Sequence, residues 1–238
     1  MVNRVTIKKH LINVLGNRLK QKCLVFESDD WGSMRIPTVA AREALLQRNL
    51  IQKSGPFSQF DVIEAADDYM SLYEILTKYK DCEGQYPVIT THFILNNPDF
   101  DKIAASDFST YYDESFLQTY HANSDGKKTW DLVQDGINKK LIKPQFHGSE
   151  HLNVVRWMHY LKDKHEGFHF AFKNKCFAID DQNVKNRSSN LLATYDYDNE
   201  QKFMFVKERI LKVSYNLKKY SASNLKQLLL LVTFGTPK

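Results

Sequence analysis

The chain has 238 residues, of which 42% are hydrophobic and 26% are charged, and its formal net charge at pH 7 is +5. This composition is typical of a globular protein, and without an apolar stretch of about 20 residues no membrane-spanning helix is predicted. The lysine pairs at residues 8–9, 139–140 and 218–219 favour solvated helix faces over a nucleic-acid-binding surface.

Apolar periodicity and turn residues predict an alternation of helices and strands along the chain. In chain order, the predicted elements are a helix over residues 5–20, a strand over 23–28, helices over 38–49 and 65–79, a strand over 87–95, a helix over 128–139, a strand over 142–146, a helix over 152–164, a fourth strand or a hairpin over 168–179, and a helix over 200–219. Strands that alternate with helices predict an α/β fold with a parallel sheet. Since no internal repeat or long linker is visible, we expect one domain over residues 1–238.

The first predicted strand leads into two adjacent carboxylates, Asp29 and Asp30, followed by Trp31 and Gly32. Successive strand residues point to opposite faces, and a turn at Trp31 and Gly32 would allow the two aspartates to take separate roles. One carboxylate could bind a metal ion while the other accepts a proton. The alternative is structural, in which the pair caps the helix predicted to begin at residue 38 or lies in a solvated turn.

A second polar cluster, His147 to His151, follows the strand predicted over residues 142–146. Two histidines four residues apart lie on one side of a helical turn, where both imidazoles can share a divalent ion at about 2.0 to 2.1 Å. The alternative is a pair of unrelated surface or packed histidines. One carboxylate and two histidines make a three-ligand set, which leaves coordination positions open for water and substrate.

These two clusters resemble the first two motifs of the NodB-type polysaccharide deacetylase superfamily. The resemblance implies that Asp29 is the general base and that Asp30, His147 and His151 hold a divalent metal ion, for which zinc suits the donor set. It implies a distorted (β/α) barrel with the site at the carboxyl ends of the strands. The implied reaction is removal of an acetyl group from a sugar or polysaccharide, with a carbohydrate as the partner.

The chain departs from the family pattern in several places. Trp31 stands where the first motif usually has glycine, and Gly148 stands where the second has serine or threonine. The resemblance covers residues 20–155 by motif, and the later motifs, which supply the general acid, have no counterpart. Because three or four parallel strands do not close a barrel, and residues 225–238 form an odd leucine-rich run, we expect an incomplete barrel in a truncated or frameshifted deacetylase-like chain.

Two further residues have open interpretations. His92, in the predicted strand over residues 87–95, is either a site residue or a packed histidine. Arg35, just after the first motif, either binds an anionic group of a sugar or forms a surface salt bridge.

Other functions remain as alternatives to a deacetylase. The missing late motifs favour a catalytically weak or inactive carbohydrate-binding remnant, which would bind sugar or metal without turnover. The positive charge alone favours a nucleic-acid-associated protein, which we do not expect. A metal-dependent hydrolase of another amide or ester is the nearest enzymatic alternative.

Cysteine usage and the N-terminus predict the cytoplasm as the location. Cys23, Cys82 and Cys176 are odd in number and widely separated, which argues against a disulfide framework and for a reducing compartment. The first residues lack the apolar run of about 7 to 15 residues that a secretory signal requires. The sequence leaves the oligomeric state open.

Overall fold

The computed structural model describes residues 23–53, 62–177 and 179–180. Its strands are β1 (Phe26–Trp31), β2 (Ile89–Ile94), β3 (Asn96–Pro98), β4 (Asp113–Ser115) and β5 (Ile142–Gly148). Its helices are α1 (Val39–Gln47), α2 (Ala66–Leu76), α3 (Phe100–Ala105), α4 (Phe116–Ala122), α5 (Gly126–Asn138), α6 (Val154–Lys162) and α7 (Glu166–Lys173). The helices predicted over 5–20 and 200–219, and the leucine-rich run, lie outside the described residues.

Four predicted helices are confirmed as α1, α2, α5 and α6, and side-chain caps define where two of them begin. Thr38 Oγ1 accepts a hydrogen bond from the Ala41 amide, and Asn153 Oδ1 accepts one from the Arg156 amide. Because Thr38 itself caps α1, the interpretation of Asp29 and Asp30 as caps of that helix is wrong. The short elements β3, β4, α3 and α4 were not predicted.

The prediction of a strand or hairpin over residues 168–179 is wrong, because this segment begins inside helix α7. Its buried residues Phe168, Ala171 and Phe172 recur at helical spacing and pack into the core. Phe168 and Phe172 share one buried cluster with Trp157 of α6, while Ala171 packs with α1 in another. The aromatic run suggested a strand, but burial at three- and four-residue intervals stabilises a helix instead.

Three strands form a parallel sheet in the order β1-β2-β5, so the fold is a mixed α/β structure. Phe26 pairs with Ile89, and Ile89 pairs with Ile142. Within the described ranges this sheet is open and does not close into a barrel. Strands β3 and β4 form a separate antiparallel pair beside it.

One face of the parallel sheet packs against helices α2, α4 and α5. Phe93 and Ile142 from this face are 1% and 2% exposed and share a buried cluster with those helices. The register partners Glu27, Thr90 and Lys143 point to the opposite face, which is polar. This polar face also carries His92 of β2, and the candidate site lies at its carboxyl end.

Within the part of the chain that the structure describes, no helix combines the length and apolarity needed to cross a bilayer.

Candidate metal centre

Strand β1 carries both aspartates at an irregularity in its pairing with β2. Ser28 pairs with Thr91 and Trp31 pairs with Phe93, so Asp29 and Asp30 together stand opposite His92 alone. This is the two-against-one arrangement of a β-bulge, and Asp30 has a positive φ of 64°. The bulge breaks the strict alternation of side chains and re-aims Asp30. Both aspartates therefore lie within β1, which ends at Trp31, three residues later than the strand end predicted from the sequence.

Asp30, His147 and His151 come together at the carboxyl end of the sheet. Asp30 Oδ1 lies 3.4 Å from His147 Nε2 and 3.5 Å from His151 Nε2. One potential ligand atom from each of the three residues lies within 4.8 Å of the others. Asp30 Oδ1 is buried and accepts no hydrogen bond from the described residues. A buried carboxylate oxygen without a donor needs a cationic partner or water.

The spacing of these atoms fits a divalent ion. Two ligands at about 2.0 to 2.1 Å from a tetrahedral ion are separated by about 3.3 Å. The two oxygen-to-nitrogen distances of 3.4 and 3.5 Å are close to that value. A set of one carboxylate and two imidazoles suits zinc and other first-row ions. The residues present can therefore hold such an ion, since one ligand atom from each lies within 4.8 Å of the others.

The two histidines reach the site by a different route from the one that their spacing suggested. His147 lies in strand β5, and His151 lies in the bend that follows, so the prediction of a shared helical turn is wrong. Their ring centroids are 5.8 Å apart with 29° between the planes. The strand end and its loop, rather than helical periodicity, bring the imidazoles together.

Arg35 is an ion-pair partner of the candidate ligand Asp30. Its Nη2 lies 2.5 Å from Asp30 Oδ2, and the side chains are 2% and 18% exposed. The prediction of a surface salt bridge is therefore wrong in its location, since the pair is largely buried. By holding Oδ2, Arg35 leaves Oδ1 directed to the two imidazoles, which is how partners outside the ligand set commonly orient a ligating carboxylate.

The electrostatic surroundings keep His151 in the form that binds metals. Burial lowers the pKa of His151 below its ordinary value, and the nearby Arg35 guanidinium lowers it further, while Asp30 acts in the opposite direction. The imidazole is therefore neutral near pH 7. A neutral ring nitrogen is the form that donates a lone pair to a metal ion.

Asp29 and His92 lie beside this group without belonging to it. Asp29 is exposed, and neither residue is part of the three-residue group. The His92 ring lies 5.8 Å from the His147 ring in an edge-to-face arrangement. The structure thus brings together three of the four predicted site residues, while Asp29 precedes Asp30 in the chain and stands outside the group.

Several polar residues that support the site were missed by sequence reasoning. Glu64 accepts a hydrogen bond from the Gly32 amide, and Asn97 contacts the same loop through Gly32 and Met34. Asn96 contacts Ser149 in the second loop. Two adjacent asparagines shortly after β2 were the one visible signal, because side-chain amides that become buried need hydrogen-bond partners.

Comparisons with known proteins found no relative for this chain. A scan against protein-family models, a search of curated proteins and a search of solved structures each returned no match.

Proposed function

We propose that this protein is a metal-dependent hydrolase that removes an acetyl group from a sugar or polysaccharide. The observation that carries the proposal is the arrangement of Asp30 Oδ1 at 3.4 and 3.5 Å from the Nε2 atoms of His147 and His151. Zinc is the proposed ion, because two imidazoles and one carboxylate are a common catalytic zinc set. The resemblance of both clusters to deacetylase motifs supports the acetylated carbohydrate as substrate.

The proposed chemistry divides between the metal ligands and Asp29. Asp30, His147 and His151 would hold the ion, with Arg35 keeping the Asp30 carboxylate in place. When bound, a divalent ion supplies Lewis-acid polarisation of the acyl carbonyl and lowers the pKa of water. Asp29, which is exposed and directly precedes Asp30 in the chain, would take a proton from the attacking water.

We also propose that the parallel sheet belongs to a distorted (β/α) barrel and that the protein is cytoplasmic. The order β1-β2-β5 and the position of the site at the carboxyl ends of the strands support the barrel, because barrel enzymes bind substrates at that end. The three cysteines are free thiols, which supports a reducing compartment.

A second candidate function is carbohydrate binding without turnover. It is favoured by Asp29, the proposed base, which is exposed and stands outside the three-residue group. A proton acceptor that nothing positions contributes little to rate. For this function, Asp30, His147 and His151 with a bound ion, together with the polar face of the sheet, would bind sugar hydroxyls.

The test measures metal content and deacetylation together. We expect about one equivalent of zinc in the purified protein, loss of that metal in the His147→Ala/His151→Ala double variant, and release of acetate from acetylated oligosaccharides. The Asp29→Asn variant should keep its metal and lose about 10²- to 10⁴-fold in rate. His159→Ala is the matched control, because His159 is an exposed histidine on α6 away from the site.

Each outcome separates the candidates. A protein that holds no metal, or holds the same amount after both histidines are removed, contradicts the hydrolase proposal. Metal and sugar binding without acetate release in the unmodified protein would favour the binding function. Equal acetate release by the protein and its Asp29→Asn variant would remove Asp29 from the mechanism.

A further inference from the structure

Asn96 and Asn97, here called the asparagine brace, follow the central strand of the parallel sheet after one intervening residue, Leu95. They belong to β3 and are only 5% and 1% exposed. Strand β2 is flanked by β1, which carries Asp30, and by β5, which carries His147. The brace therefore lies between the two segments that supply the candidate metal ligands.

Asn97 holds the loop that follows the bulge of β1. Its Nδ2 donates to the Gly32 carbonyl at 2.9 Å, and its Oδ1 accepts from the Met34 amide at 2.9 Å. The Nδ2 also donates to Thr119 Oγ1 at 3.1 Å, which anchors the amide group to helix α4. Both amide hydrogens and the carbonyl oxygen of Asn97 are thus engaged, and the backbone two to four residues after Asp30 is fixed.

Asn96 holds the loop between the two histidines in a comparable way. Its Nδ2 donates to Ser149 Oγ at 2.9 Å, and its backbone amide donates to the Ser149 carbonyl at 2.7 Å. The preceding amide, that of Leu95, donates to the Gly148 carbonyl at 3.1 Å. Ser149 and Gly148 lie between His147 and His151, so these bonds fix the path of the chain from one imidazole to the other.

We propose that the asparagine brace is the positioning element of the metal centre, and that it sets metal affinity by setting the distance between Asp30 and the two imidazoles. This inference rests on the proposed function. A bound ion accepts ligand distances within about 0.2 Å of its preferred values. If the ligand-carrying loops were mobile, ion binding would have to order them, and this cost would weaken metal affinity. Removal of groups that orient metal ligands typically weakens metal binding about 10- to 100-fold.

The chemistry of asparagine suits this role better than that of its close analogues. Its amide presents both a donor and an acceptor, so that Asn97 can bind a carbonyl and an amide of one loop at once. Aspartate at position 97 would keep the acceptor for Met34 but lose the donor to Gly32. Alanine at position 97 would leave the Gly32 carbonyl and the Met34 amide without this hydrogen-bond partner.

The test is a titration with Co²⁺, which binds nitrogen and oxygen sites and reports their geometry through its visible absorption. We expect Asn97→Ala and Asn96→Ala each to bind Co²⁺ about 10- to 100-fold more weakly, with a changed visible spectrum. Asn174→Ala is the matched control, since its amide donates to the Phe170 carbonyl at 2.9 Å in α7 and touches neither loop. That variant should keep the affinity and spectrum of the unmodified protein.

A loss of stability alone would not change the visible spectrum of bound Co²⁺. The titrations are run well below the thermal unfolding midpoint of each variant, so that every variant is folded. If Asn97→Ala does not fold, Asn97→Asp and Asn96→Ala decide the matter. Unchanged affinity and spectrum in the asparagine variants would overturn the positioning role while leaving the metal centre intact. Absence of Co²⁺ binding in the unmodified protein would remove the proposed function and this inference together.

Discussion

At the scale of single residues, Glu64 combines a buried carboxyl group with a place beside the candidate site. The Gly32 amide donates to it at 3.1 Å and the Tyr120 hydroxyl donates to it at 2.9 Å. Burial raises the pKa of Glu64 to about 7, although both hydrogen bonds act in the opposite direction. The Glu64 carboxylate accepts a hydrogen bond from the Gly32 amide, and Asn97 donates one to the Gly32 carbonyl. The charge state of Glu64 therefore affects the loop after Asp30.

The raised pKa of Glu64 predicts a pH-dependent contribution to stability. Its favourable contribution is fully present below the ordinary pKa of 4.5 and is lost as the pH rises through about 7, because the folded state must then bury a charge. A change of this size corresponds to on the order of 3 kcal/mol. We therefore compare the midpoint of thermal unfolding of the unmodified protein with that of Glu64→Gln. The midpoint of the unmodified protein minus that of the variant should be roughly 5 to 10 °C larger at pH 5 than at pH 8.

The measurement is a set of thermal unfolding curves for both proteins across this pH range. Glu74→Gln serves as the control, because Glu74 is an exposed carboxylate on helix α2 that pairs with Lys78 just after the helix. Parallel pH profiles for Glu64→Gln and the unmodified protein would mean that Glu64 titrates normally in the fold.

At the scale of elements, helices α2 and α5 pack closely because Gly136 has no side chain. A Cβ at this position would lie 1.9 Å from Tyr73 Oη and 2.3 Å from Tyr73 Cζ. The Tyr73 ring is 8% exposed, and its hydroxyl donates to the Leu132 carbonyl at 3.0 Å, so it cannot swing away freely. Contact between the two helices therefore requires glycine at position 136.

Replacing Gly136 by alanine should destabilise the protein, although alanine favours an exposed helix by about 1 kcal/mol over glycine. Overlap with a buried ring should outweigh that gain and leave a net loss of about 1 to 3 kcal/mol in the free energy of unfolding. Denaturant unfolding provides the measurement. In the Tyr73→Ala background the same substitution should be neutral or stabilising. An equal loss in both backgrounds would show that the ring is not the cause.

At the scale of the whole molecule, the candidate metal centre joins the first strand of the sheet to the last. Asp30 belongs to β1, and both imidazoles come from β5 and the bend after it. The unfolded chain would hold these groups far apart and bind an ion poorly. Metal binding should therefore stabilise the fold as a unit rather than one loop.

We expect zinc at 100 times its dissociation constant to add about 2.7 kcal/mol to the free energy of unfolding. This stabilisation should raise the midpoint of thermal unfolding by roughly 5 to 10 °C, and a chelator should reverse the shift. Thermal unfolding with and without zinc gives the measurement. The His147→Ala/His151→Ala double variant should not respond. A zinc shift that persists in this variant would assign the stabilisation to another part of the chain.

The parallel α/β arrangement could be predicted because it depends on local patterns. The strands predicted over residues 23–28, 87–95 and 142–146 overlap β1, β2 and β5, and the periodicity of α1, α2, α5 and α6 is readable from neighbouring residues. The candidate ligands Asp30, His147 and His151 could be nominated because chemically suited residues follow two predicted strands. Their role as metal ligands stays a prediction, whereas their closeness is a property of the structure.

The remaining features depend on contacts between distant segments, which no local pattern encodes. Only the tertiary structure decided that a bulge opposite His92 re-aims Asp30, that Arg35 is buried against it, and that residues 166–173 form a helix. The roles of Asn96 and Asn97 were equally hidden, because a side-chain amide finds its partners only after the strands have paired. The sequence by itself determined the three parallel strands, four of the described helices and the candidate ligands. Folding decided their geometry, because register, burial and long-range hydrogen bonds arise only when the chain packs.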